Sequence, residues 1–203
     1  VVKESTGGGS RIGVYHLNPN LVGAAGPSAM TALLPQSYSG TTIQERPTTF
    51  VYIPPSAAKT AIFSLHDENS NVQYQTTIAV PETGGVIAIP LSSNAPALAV
   101  GQNYQWFVAL QIDGELTPHT PYVDGWIQRI AAPAEMAARL NGKDAMKRAE
   151  ILGQNGIWYD CVAELAQARL QQPDDQISQR EWQELLNDAE LQDIAQVPIL
   201  AVQ

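Results

Sequence analysis

Tyr122-Val123-Asp124-Gly125-Trp126-Ile127-Gln128-Arg129-Ile130-Ala131-Ala132-Pro133 marks a change of period in the chain. Up to Ile130 apolar residues alternate with polar ones, as on a half-buried strand. From Pro133 to about residue 196 they recur at three and four positions, as on one face of a helix. The sequence is therefore read as a β-rich part followed by a helical part.

Upstream of this passage, strand signals fall at 49–53, 60–66, 72–80, 86–91, 103–112 and 122–130, each rich in β-branched or aromatic residues. Pro54-Pro55, Asp67-Glu68-Asn69-Ser70-Asn71, Pro81-Glu82-Thr83-Gly84-Gly85 and Asp113-Gly114 separate them as turns. This spacing predicts an antiparallel β-sandwich of immunoglobulin-like size over 49–131, with Trp106 or Phe107 between its sheets. Residues 1–48, rich in Gly, Ser, Thr, Pro and Asn, are expected to be an irregular N-terminal segment.

Downstream, helices are predicted over 133–140, 144–155, 157–171 and 178–189, in a unit of residues 132–203 with an apolar tail. Pro133 suits a first turn, Gly156 a turn between helices, and Ser178 with Glu181 has the spacing of a capping box. Ala149, Leu152, Gly156, Trp158, Cys161, Leu165 and Ala168 are spaced like one tetratricopeptide unit. A single unit cannot bury both its faces, so it is expected to pack on the sandwich.

The net charge of -9 and the lack of a Lys/Arg cluster argue against nucleic-acid binding. The helical part is the more acidic, with 12 acidic against 6 basic side chains beyond residue 130. Only 15% of residues are charged, and uncharged polar residues fill the β part, as on a secreted surface. Cys161 is the single cysteine, so no disulfide forms within the chain; its place between Trp158 and Leu165 reads as a small buried residue. No apolar run reaches the ~18 residues of a membrane span. A removed signal peptide accounts for Val1 as the first residue, and so does simple trimming.

Gly7-Gly8-Gly9-Ser10-Arg11, Leu33-Leu34-Pro35, Glu45-Arg46-Pro47-Thr48, the Gly101/Tyr104/Trp106 strand, Gly125-Trp126-Ile127-Gln128-Arg129 and Asn155-Gly156-Ile157-Trp158-Tyr159-Asp160 follow in this order. Together they resemble the largely cyanobacterial family known as domain of unknown function 928, over nearly the whole chain. The resemblance implies export to the periplasm or cell surface and no assigned activity. It also implies a cysteine after the triple-glycine run and another after the Tyr-x-Trp strand. Here those places read Ile12-Gly13-Val14-Tyr15 and Leu110-Gln111-Ile112-Asp113, so that disulfide is absent and the N-terminal segment must be held otherwise.

Each candidate for chemistry has a plainer structural reading. Gly7-Gly8-Gly9-Ser10 lacks the lysine that ends a phosphate loop and reads as a flexible lead. His16, His66 and His119 have no metal-ligand spacing. Residues 67–71 are oxygen-rich but lack the closing glutamate of a calcium loop, and Asp113 with Glu115 flanks a hairpin glycine. Trp126, Arg129, Trp158 and Tyr159 are expected at the junction of the two parts, with Arg129 stacking there or pairing with Asp160 or Glu164, and with Trp182 in the same aromatic set.

The expected function is therefore that of a non-enzymatic, exported structural protein without cofactor or metal, whose partner is itself. Val1, Val2, Gly7, Gly8 and Gly9 at one end and Ile199, Leu200 and Val202 at the other are the candidate contacts between copies, the N-terminal set being favoured for its glycine hinge. The C-terminal stretch, if it packs on its own body, is ordinary core. The alternative is a periplasmic or cell-surface adaptor that binds through the helical unit and the aromatic seam.

Overall fold

A computed structural model describes residues 13–201 apart from 19–21, 24–25 and 113. The described chain is α+β: two mixed sheets of five strands and four α-helices. The strands are β1 (Val14–His16), β2 (Ala29–Ala32), β3 (Ser39–Thr42), β4 (Thr48–Ile53), β5 (Thr60–Asp67), β6 (Val72–Ala79), β7 (Gly85–Pro90), β8 (Asn103–Gln111), β9 (Tyr122–Arg129) and β10 (Ile199–Ala201). The helices are α1 (Ala134–Leu140), α2 (Ala145–Gln154), α3 (Trp158–Gln171) and α4 (Gln176–Asp188).

The sheets run β1-β2-β4-β7-β10 and β3-β9-β8-β5-β6. In the second, β5 and β8 are buried at every other residue, with Ala61, Phe63, Leu65, Trp106, Val108 and Leu110 facing inward. The first sheet has no such alternation, because both its faces are covered. Val51, Ile53, Ile87 and Ile89 pack against the second sheet, while Phe50, Tyr52 and Val86 pack against Val162, Leu165, Trp182 and Leu186 of the helices. The result is three layers, with the first sheet in the middle.

The six strands expected between 49 and 130 and the four helices beyond form within about two residues of their predicted limits. Three features differ. The N-terminal segment expected to be irregular contains β1, β2 and β3, strands of only three or four residues whose partners are distant in sequence or in one another. The sheets are not wholly antiparallel: β3 lies parallel to β9 and β10 parallel to β7, and pairings closed by long connections leave no hairpin signal. Finally, α4 is capped by Asp175, whose carboxylate accepts from Ile177 N and Ser178 N, and Ser178 lies buried inside the first turn. Asp175 offers the backbone an acceptor one turn earlier than Ser178 does.

Candidate functional site

A largely buried polar arrangement joins the layers where Asn155-Gly156-Ile157-Trp158-Tyr159-Asp160 meets β3 and β9. Gly156 turns the chain from α2 into α3 with φ +71°, a left-handed conformation that glycine adopts without strain. From there nearly every residue makes a bond to the β layers. Thr41 Oγ1 donates to Gly156 O at 3.0 Å, Ile157 is buried in the helical core, and Trp158 Nε1 donates to Leu33 O at 2.9 Å.

Tyr159 goes deepest. Its ring joins the core between the sheets, its hydroxyl accepts from Trp106 Nε1 at 2.7 Å, and it donates to Trp126 O at 3.0 Å. Two glycines make room. A Cβ on Gly40 of β3 would lie 3.0 Å from the Tyr159 ring and 3.1 Å from Trp158 Cβ, and one on Gly125 of β9 would meet Leu34 and lie 2.6 Å from the Trp106 indole. Burial holds the Tyr159 hydroxyl well above the ordinary tyrosine value, so it stays protonated and acts as a relay between two fixed partners.

Asp160 closes the arrangement. Its carboxylate accepts from Thr42 Oγ1 at 2.6 Å and Ile43 N at 2.8 Å, while Thr42 Oγ1 also accepts from Gln44 N at 3.0 Å. Burial pushes the Asp160 carboxyl up, against the pull of its two donors. The adjacent Cys161 thiol is pushed up to about 11 by burial and by the charges of Asp160 and Glu164. A thiol so held is protonated and unreactive at neutral pH. The cluster thus pins a helix to two sheets, and each of its polar groups already has a structural partner.

The residues expected at the junction divide between it and other places. Trp158 and Tyr159 stand at its centre. Trp126 joins through its main chain only: Gln105 is its direct neighbour on β8 and Gly125 that of the inward-facing Trp106, so the Trp126 ring lies on the outer face of the second sheet, half-buried. Arg129 pairs with neither Asp160 nor Glu164. It donates to Leu98 O at 2.7 Å and meets Glu45 at 3.4 Å, while Glu164 is held bidentately by Arg148 of α2. Trp182 is fully buried in the helical core. Sequence reading overlooked Thr42, which stands in a stretch without strand signals and gains its role only because β3 faces α3.

The other candidates are dispersed. Asp67 accepts from Asn69 N, Asn71 N and the Asn71 and Gln73 side-chain amides, which close a hairpin turn and hold its carboxyl below the usual range. His66 lies 3.2 Å from Ser64 Oγ, and among the described residues no three His, Cys, Asp or Glu side chains converge as a metal would need. His16, Glu115 and His119 are exposed; Asp113 lies outside the described residues.

Ile199 and Leu200 pair with Val86 and Ile87 of their own chain, and Leu200 fills the space a Cβ on Gly85 would take. Val1, Val2, Gly7, Gly8, Gly9 and Val202 lie outside the described residues. A small cleft of about 130 Å³, lined by Val14, Leu34, Tyr38 and Leu191 among others, is mostly apolar. No described helix is long and apolar enough to cross a membrane.

Comparison with known proteins finds no curated protein that matches the chain. A family model described as Domain of Unknown Function (DUF928) matches residues 6–199, nearly the whole length, and the chain belongs to that family.

Proposed function

We propose that this protein is a non-enzymatic structural component, exported to the cell surface or periplasm, that assembles with copies of itself through a terminal strand, as an extracellular filament subunit does. In this reading the face-to-face sheets are an immunoglobulin-like body and α2–α3 a tetratricopeptide-like prop. The observation that carries it is the seating of β10. Ile199–Ala201 lies parallel to β7 at an edge of the middle sheet, with Leu200 over Gly85 and Val86 N donating to Pro198 O at 2.9 Å. Among the described strands β10 pairs with β7 alone, so it can leave β7 without breaking any other described pairing. The vacated edge then suits the same segment of a neighbour, a low-cost exchange between copies. The low share of charged residues agrees with an extracellular setting.

Size-exclusion chromatography with light scattering tests this. The full chain is expected to run as an oligomer or polymer, and removal of residues 197–203 or of residues 1–9 to reduce it to a folded species no larger than a dimer. A full chain that is monomeric at every concentration ends the reading. A second reading, an adaptor that docks through the helical layer, is favoured by one observation: Leu170 and Ile177, 49% and 56% exposed, flank the α3–α4 turn. The aromatic seam serves it less well, since the Trp106 and Trp158 indoles and the Tyr159 hydroxyl are committed internally.

A further inference from the structure

The two sheets present four edges among the described residues, and three are protected. β1 and β10 are three residues long, the latter preceded by Pro198, and β3 is covered by the start of α3 through the Thr41–Gly156 bond and the Gly40 contact. Short edges and covered edges are the usual guards against strand addition. β6 has neither guard. It runs eight residues, Val72-Gln73-Tyr74-Gln75-Thr76-Thr77-Ile78-Ala79, with no charge and no proline, in a protein whose net charge is -9.

The ladder to β5 fixes which of its main-chain groups are open. Val80 N donates to Lys59 O at 2.8 Å, which makes Lys59 and Val80 a hydrogen-bonded pair. By antiparallel alternation Ile78, Thr76 and Tyr74 also bond toward β5, and Gln75, Thr77 and Ala79 turn their N–H and C=O outward. The bulge at Leu65/His66 leaves Gln73 without a partner on β5, so the regular ladder of β6 begins at Tyr74.

From this we infer that β6 pairs with β6 of a second copy, antiparallel about a two-fold axis at Thr76, joining two five-stranded sheets into one of ten. The inference rests on the self-association proposed above, though at a different surface from the terminal exchange. The β6 sequence complements itself. With Thr76 on the axis, Gln75 opposes Thr77 of the other copy in a hydrogen-bonded pair, once on each side of the axis. On the core side Tyr74 opposes Ile78, an aromatic on a β-branched residue, which extends the apolar core across the axis. No like charges meet, and Pro81, which has no N–H to give, falls outside the ladder. The acidic bodies repel at longer range, so pairing strengthens as salt is added.

Three variants of the full chain test this by analytical ultracentrifugation. Thr77→Pro removes an outward N–H and none of the bonds to β5, and Gln75→Lys with Thr77→Lys sets like charges opposite each other across the axis. Each is expected to abolish this contact while the circular-dichroism spectrum is unchanged. Thr76→Cys in a Cys161→Ala background is expected to form a disulfide-linked dimer on mild oxidation, because only this register brings the two introduced thiols face to face. If the chain associates, yet the lysine pair leaves its association unchanged and Thr76→Cys does not cross-link, the β6 contact is overturned while self-association stands. If the full chain never associates, both fall together.

Discussion

Trp106 of β8 and Tyr159 of α3 meet 53 positions apart in sequence, the indole N–H donating to the hydroxyl at 2.7 Å in a buried site. That bond ties the helical layer to the core between the sheets. Trp182, equally buried, has an indole N–H with no partner among the described residues. Phenylalanine at either place leaves a similar void, but only Trp106→Phe also deprives Tyr159 of its donor. Trp106→Phe is expected to cost about 1–2 kcal/mol more than Trp182→Phe. Urea titration of the two variants decides it, and equal losses would remove the relay from the account of stability.

The same geometry ranks two tryptophans. Trp106→Ala is expected to cost about 3–5 kcal/mol, the usual range for a large aromatic lost from a core. The Trp126 ring lies outside that core and its contribution to the junction is a carbonyl, which any residue supplies. Trp126→Ala should cost clearly less than Trp106→Ala, and a melting curve showing the reverse order would mean the outer ring is the structural one.

Thr42 and Asp160 form a pair suited to a double-mutant cycle. Thr42→Val and Asp160→Ala each strand the other's buried polar group, so the double variant is expected to be more stable than the two single losses added together, by about 1.5–3 kcal/mol. Chemical denaturation of the four proteins measures it; strictly additive losses would show that the two side chains act independently.

Alkaline pH probes the burial of Cys161. The folded thiol is raised to about 11 from an ordinary 9.0. Between those values the folded chain keeps a proton that the unfolded chain releases, so stability falls as pH rises through this window, by about 2–3 kcal/mol at its upper end. Tyr159, also raised, adds a loss of the same sign above the ordinary tyrosine value of 10.0. Cys161→Ala is expected to flatten the thermal-melting profile between pH 9 and 10, where Tyr159 does not yet contribute. A variant profile that still falls as the wild type does there would contradict the burial of the sulfur.

How much of this was legible beforehand depended on the range of the signal. β4 to β9 and the four helices are written in local periodicity and punctuation, and the Asp67 turn announces itself through its Asx chemistry. β3 is not, since Ser39-Gly40-Thr41-Thr42 has no strong strand character and gains its identity from β9, 87 positions on. The same blindness affected Trp126. Its neighbours in sequence mark a junction, but which face of β9 the ring takes is set by pairing with β8, and a one-residue step in parity moves a side chain from core to surface.

The order of the layers along the chain has a consequence for biogenesis. Phe50, Tyr52 and Val86 belong to strands made early, whereas α2, α3 and α4, which cover them, follow well over 50 residues later. As the chain emerges from N- to C-terminus, the middle sheet therefore stands with an apolar face bare until the helices arrive. Its edge at β7 stays open longer still, until Ile199–Ala201 is made. Non-local pairing of this kind folds slowly and leaves hydrophobic surface on view meanwhile. Newly made chains are thus most prone to stray association before the last helix closes over the uncovered sheet.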